Sequence, residues 1–129
     1  MRYLGIDYGK KRIGIAVADS EIGIAVPHGT ILRQSDNQAI DEIKSLVREE
    51  RIGRIVVGLP LGLDGKETKM SRAAGEFRRR LDVATGVPVE FENEIFTTRM
   101  ANHEGVRKEH TDASSAAIIL QSYLDKNFS

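Results

Sequence analysis

A chain of 129 residues with 40% apolar side chains can build one hydrophobic core but not two domains of ordinary size, so a single domain over 1–129 is expected. The absence of cysteine excludes disulfides and thiolate metal sites, and no run reaches the roughly 18 apolar residues of a membrane span. Nineteen basic and nineteen acidic side chains cancel, so any attraction for a polyanion must come from the distribution of charge rather than its sum.

In chain order, residues 2–8 and 12–19 are short runs rich in Ile, Val, Leu and Tyr, parted by Gly9-Lys10-Lys11, which predicts a β-hairpin. A third strand is expected over 24–33, with Pro27 at an edge or bend. Ile40, Ile43, Leu46 and Val47 form an apolar stripe at helical spacing, so 37–51 reads as a helix with Asp36 as its N-cap. Arg54-Ile55-Val56-Val57-Gly58 reads as a buried strand ending before Pro60, followed by a loop at Gly62, Asp64 and Gly65. A helix over 68–84 ends at Gly86. Residues 88–92 alternate like a strand with one wet face, a short helix follows Thr97, and a last helix covers 112–126. Strands joined through helices imply parallel pairing with helices on both faces, and the opening hairpins add an antiparallel part. The fold class is therefore α/β with a mixed sheet.

Charge is unevenly spread along this order. Residues 66–80 carry Lys66, Lys69, Arg72, Arg78, Arg79 and Arg80 against Glu67 and Glu76, while Lys10, Lys11 and Arg12 adjoin the hairpin turn. Such runs serve as basic flanks for a polyanion or simply as solvated helix faces. The N-terminus meets Asp7 before any apolar region of signal-peptide length, which favours a cytoplasmic protein without a membrane partner.

Three acids could carry chemistry. Asp7 shares a strand face with Tyr3 and Gly5 at the end of the first strand, where it could be a ligand or part of an Asp-Tyr-Gly turn. Glu94 follows the strand at 88–92, at the sheet edge where open α/β sheets bind ligands, or it is an exposed loop acid. Asp112 opens the last helix, where it could simply be an N-cap. If the three meet, their repulsion, about 4 kcal/mol for two unit charges at 4 Å and an effective dielectric near 20, calls for a cation. Oxygen ligands suit Mg2+ or Mn2+, and two such ions about 4 Å apart can cleave a phosphodiester.

These residues resemble a known family. Gly5-Ile6-Asp7-Tyr8-Gly9-Lys10-Lys11-Arg12-Ile13-Gly14-Ile15-Ala16 resembles the opening motif of the YqgF/RuvX proteins. Ile55 to Leu61 with Asp64-Gly65, Glu94 with Thr97-Thr98, and Asp112 to Leu124 resemble its later motifs, in order, over essentially the whole chain. The resemblance implies a ribonuclease H-like fold, related to Holliday junction resolvases of the RuvC type, with a five-stranded sheet. It implies a nuclease that either matures the 5′ end of precursor 16S ribosomal RNA or resolves Holliday junctions. Asp7, Glu94 and Asp112 would be the catalytic, metal-binding acids, with Mg2+ or Mn2+, two ions, as cofactor. Lys10 and Arg12 would lie on substrate phosphates, and Thr97 and Thr98 would hold the Glu94 loop. In-line attack by water would leave a 5′-phosphate and a 3′-hydroxyl.

The partner is then structured RNA or branched DNA, read with little sequence specificity because aromatics are only 5%. A resolvase needs two sites and so a homodimer, whereas an RNA-trimming enzyme works as a monomer. The chain departs from the family at Asn93-Glu94-Ile95, where Asp-Glu-Arg is usual, and in a shorter stretch from Glu94 to Asp112. That departure motivates a second reading, a non-catalytic nucleic-acid-binding or ribosome-assembly module. His103 and His110, in this stretch, are metal ligands, proton carriers or solvated surface groups. A third reading, a sugar-kinase-like ATPase, needs a second domain to clamp ATP.

Overall fold

A computed structural model describes residues 1–59, 68–93 and 108–128, the side chains of Leu59, Asn93 and residues 108–111 excepted. Among these residues five strands form one sheet: β1 (Arg2–Tyr8), β2 (Arg12–Asp19), β3 (Ile24–Leu32), β4 (Ile52–Leu59) and β5 (Val89–Asn93), in the order β3-β2-β1-β4-β5. The first three are antiparallel, while β4 runs parallel to β1 and β5 parallel to β4. This is the mixed sheet expected, and the carboxyl ends of β1, β4 and β5 share one edge.

Strand alternation sorts side chains to two faces. Leu4, Ile6 and Tyr8 of β1, Ile13 and Ile15 of β2, and Ile55 and Val57 of β4 face α1 (Asp36–Glu49) and α2 (Lys69–Thr85) in the larger core. Tyr3, Ala16, Ala18 and Val56 face the opposite way, under α3 (Lys108–Phe128), packed by Ala116, Ile119, Leu120, Tyr123 and Leu124. Among the described residues, two helices therefore cover one face and one covers the other.

Several local expectations need correcting. The cap of α1 is Ser35, not Asp36: Ser35 Oγ accepts from the Gln38 backbone N–H at 3.1 Å, and the Gln38 side chain accepts in return from the Ser35 backbone. Asp36 is the first helical residue, where its charge complements the helix N-terminus, and it accepts from Tyr8 Oη and Arg33 Nε, both at 2.8 Å. Gly86 ends α2 at φ 73°, as expected of a left-handed C-cap. Pro27 lies on edge strand β3, beside a register shift between Ile15 and Ala16 of its neighbour. The wet face of β5 is wet only in part: Glu90 keeps 41% of its side chain exposed while Glu92 is buried, and both are bonded to α3.

Candidate active site

The face of β1 that carries Tyr3, Gly5 and Asp7 is roofed by α3 at regular helical intervals. Tyr3 lies 5.9 Å, ring to ring, from Tyr123. A Cβ on Gly5 would stand 2.8 Å from Leu120 Cβ and 2.9 Å from the Ala116 carbonyl oxygen. One step further, Asp7 pairs across the hairpin with Gly14, and a Cβ on Gly14 would stand 1.8 Å from the Asp112 carbonyl oxygen. Cross-strand partners project to the same face, so Asp7 and Asp112 come together at the carboxyl end of β1. Two glycines permit this approach, since any side chain at either would push the helix off the sheet.

Both bland readings of these acids fail. Asp7 lies within β1 rather than in the turn that follows it. Asp112 is the fifth residue of α3, a turn past the helix start, so it does not cap that helix. Its half-buried carboxylate faces Arg12, whose Nη1 is 3.8 Å from Oδ2. Carboxylate oxygens are the donors that a hard divalent cation takes, and the Asp112 backbone seated on Gly14 brings one acid to the strand pair that carries the other. Among the described residues no group of three or more acids and histidines converges. The third predicted acid, Glu94, lies outside the described residues, as do Thr97, Thr98, His103, the loop at 62–65 and the short helix expected after Thr97. The side chain of His110 also lies outside them.

The motif's basic residues part company. Arg12 reaches Asp112 under α3, whereas Lys10 lies across the sheet rim, lining a cavity with Tyr8, Arg33 and Lys69. The basic run of α2 is largely absorbed by structural contacts. Arg78 Nε donates to the Val89 carbonyl and its guanidinium stacks on Phe91. Arg79 pairs with Glu76 at 2.6 Å, and Arg80 with Asp36 at 3.5 Å and with Asn37. Among the described residues of this run, Lys69 reaches the rim.

Sequence reasoning missed the polar seam beneath α3. Glu92, 6% exposed, accepts from Ser122 Oγ at 2.7 Å and Lys126 Nζ at 2.6 Å. Glu90 accepts from Tyr123 Oη and pairs with Arg54 at 3.2 Å. Burial, then the bond to Glu90, raises the Tyr123 hydroxyl's pKa, while the Tyr123 contact raises that of Arg54. The signal was present as Glu90 and Glu92 alternating with Val89 and Phe91. On the opposite face, burial and the Asp36 bond push the Tyr8 hydroxyl up to about 12.

The sheet order, with two helices on one face and one on the other among the described residues, defines a ribonuclease H-like fold. RuvC of T. thermophilus, solved in complex with a Holliday junction substrate, shares it at TM-score 0.67 and 15% identity over 100% of this chain and 97% of that one. The fowlpox virus Holliday junction resolvase shares it at TM-score 0.60 and 11% identity over 98% and 99%. The profile of the RuvX family, described as Holliday junction resolvase, matches residues 1–126, and the chain belongs to that family. Among its relatives is a "Putative pre-16S rRNA nuclease" of Syntrophus aciditrophicus, 42% identical over 97% of this chain and 89% of that one. A relative of the same name from Anaplasma marginale is 41% identical over 96% and 84%. Among the described residues no helix is long and apolar enough to cross a membrane.

Proposed function

We propose that the chain is a single-domain, divalent-metal-dependent nuclease that trims structured RNA at the 5′ end of precursor 16S ribosomal RNA. The observation that carries this is the seating of Asp112 on Gly14, directly across the hairpin from Asp7. Asp7 and Asp112, together with Glu94, would hold Mg2+ or Mn2+, two ions. When bound, these ions supply Lewis acidity and lower the pKa of water for phosphodiester hydrolysis. Arg12 balances Asp112 in the free protein, and its exposed guanidinium is available to a substrate phosphate oxygen. Thr97 and Thr98 would steady the Glu94 loop. RNA is favoured as substrate because the relatives at 41–42% identity carry the RNA-processing name, whereas the junction resolvases that share the fold stand at 11–15%.

Two other readings rest on specific observations. The family description supports cutting of branched DNA, which would require a homodimer. The Asn93-Glu94-Ile95 sequence motivates a module that binds without cutting. One assay separates all three: the purified protein with labelled precursor 16S 5′-end RNA and a labelled four-way DNA junction, in manganese and in EDTA. Manganese-dependent cutting of the RNA is the expected result. Preferred cutting of the junction would transfer the assignment to a resolvase, and binding without cutting would sink the catalytic reading.

A further inference from the structure

Across the rim of the sheet from Asp7 lies a cavity of about 480 Å³ between the end of β1 and the start of α2. That is within the roughly 300–1,000 Å³ of small-molecule sites. Its apolar walls are Met70 and Ala73, with the edge of the Tyr8 ring, itself buried against Phe77 at 4.4 Å, at the back. Its polar lining is Thr68 together with three cations, Lys10, Arg33 and Lys69. Tyr8 and Arg33 are fixed, the guanidinium lying 5.1 Å from the ring centroid and held by Asp36 Oδ1 and by the Lys10 carbonyl at 2.7 Å. Among the described residues the acid beside the cavity is Asp36, and it is shared between Arg33 and Arg80, so it is already balanced by two guanidinium groups. Lys10 and Lys69 appear in no ion pair among the described residues, and Lys69 is exposed in the first turn of α2.

An apolar slot with ammonium groups at its mouth matches a nucleotide: a base for the walls, a phosphate for the lysines. We propose that this cavity holds a nucleotide of the substrate strand next to the scissile phosphate, the strand passing over the β1–β2 hairpin from Arg12 on one side to Lys10 and Lys69 on the other. This rests on the nuclease reading above. It adds a strand-holding subsite in which Lys69, Arg33 and Met70 act in binding rather than in the chemical step.

The test is fluorescence anisotropy with a labelled single-stranded RNA in EDTA, so that binding is read without cleavage, over a range of salt. Lys69→Glu reverses charge in the cavity yet suits a helix N-terminus, so the fold should hold, as circular dichroism would verify. Lys44→Glu, on the exposed face of α1, makes the same charge change elsewhere. Lys69→Glu should weaken binding several-fold and lower the salt slope by roughly 0.7 to 1, the worth of one lost phosphate contact. Lys44→Glu should change neither. A parallel strand of abasic sugars should bind the parent protein more weakly than the intact strand. Equal behaviour of the two variants, or equal affinity for the abasic strand, would overturn the subsite. Failure of the nuclease reading alone would look different: specific loss in Lys69→Glu, with no manganese-dependent cutting by the parent.

Discussion

The carbonyl oxygen of Asp112 occupies the space that a side chain on Gly14 would need, 1.8 Å from where its Cβ would stand. An acid of the last helix is thereby brought to the strand pair that carries Asp7, and the site depends on a residue with no chemistry of its own. Backbone atoms cannot swing aside as a flexible side chain can. Gly14→Ala should therefore lift the start of α3, cost about 1–3 kcal/mol in urea denaturation, and abolish most cutting. Gly29→Ala on edge strand β3, where a Cβ meets nothing within 4 Å, should do neither.

Arg12 lies 3.8 Å from Asp112, with both side chains partly exposed. Pairs of this kind contribute about 0–1 kcal/mol. Arg12→Gln should therefore leave the melting temperature nearly unchanged while weakening RNA binding and flattening its salt dependence. A large loss of stability with unchanged binding would mean that the arginine serves the fold alone.

The Tyr8 hydroxyl titrates near 12 in the folded chain against about 10 when free, because burial and the Asp36 bond favour its neutral form. The unfolded chain thus gives up this proton first. The stability that Tyr8 contributes is complete below pH 10 and is lost as pH rises from about 10 to 12. Urea midpoints across that window should fall more steeply for the parent than for Tyr8→Phe, which removes the titrating group.

Glu92 is buried, and its partners come from Ser122 and Lys126 on α3. Lys126→Ala should cost about 1–2 kcal/mol, less than breaking a fully buried pair, because Lys126 is itself 63% exposed. Adding Glu92→Gln to that variant should restore part of the loss, since the uncompensated charge is gone. A double-mutant cycle in urea reads this coupling directly.

Much of the architecture was legible because its periodicities are clean. The alternation of Leu4, Ile6 and Tyr8, the stripe of Ile40, Ile43 and Val47, and Gly86 all report through local rules. What was hidden depends on contacts distant in sequence. For Asp112 an N-cap stood open beside the ligand reading because the apolar pattern begins at Ala113, yet the helix starts at Lys108. Glu90 and Glu92 read as solvent-facing because nothing local says that α3 would cross them with Tyr123, Ser122 and Lys126. Asp7 could be placed on the correct face by alternation, but its proximity to Asp112 follows from Gly5 and Gly14, which no propensity singles out as a helix seat. The divergence of Lys10 and Arg12 likewise appears only once the hairpin is folded.

The central claim is that Asp7 and Asp112 act as one metal-dependent centre. Its most direct measurement is the manganese-dependent cleavage rate of precursor 16S 5′-end RNA by the parent, Asp7→Asn, Asp112→Asn and the double variant. Each single substitution should lower the rate about a thousandfold or more, with the double variant no worse, as for groups that work as a unit. Single variants that cut at the parental rate, or losses that multiply in the double variant, would contradict the account.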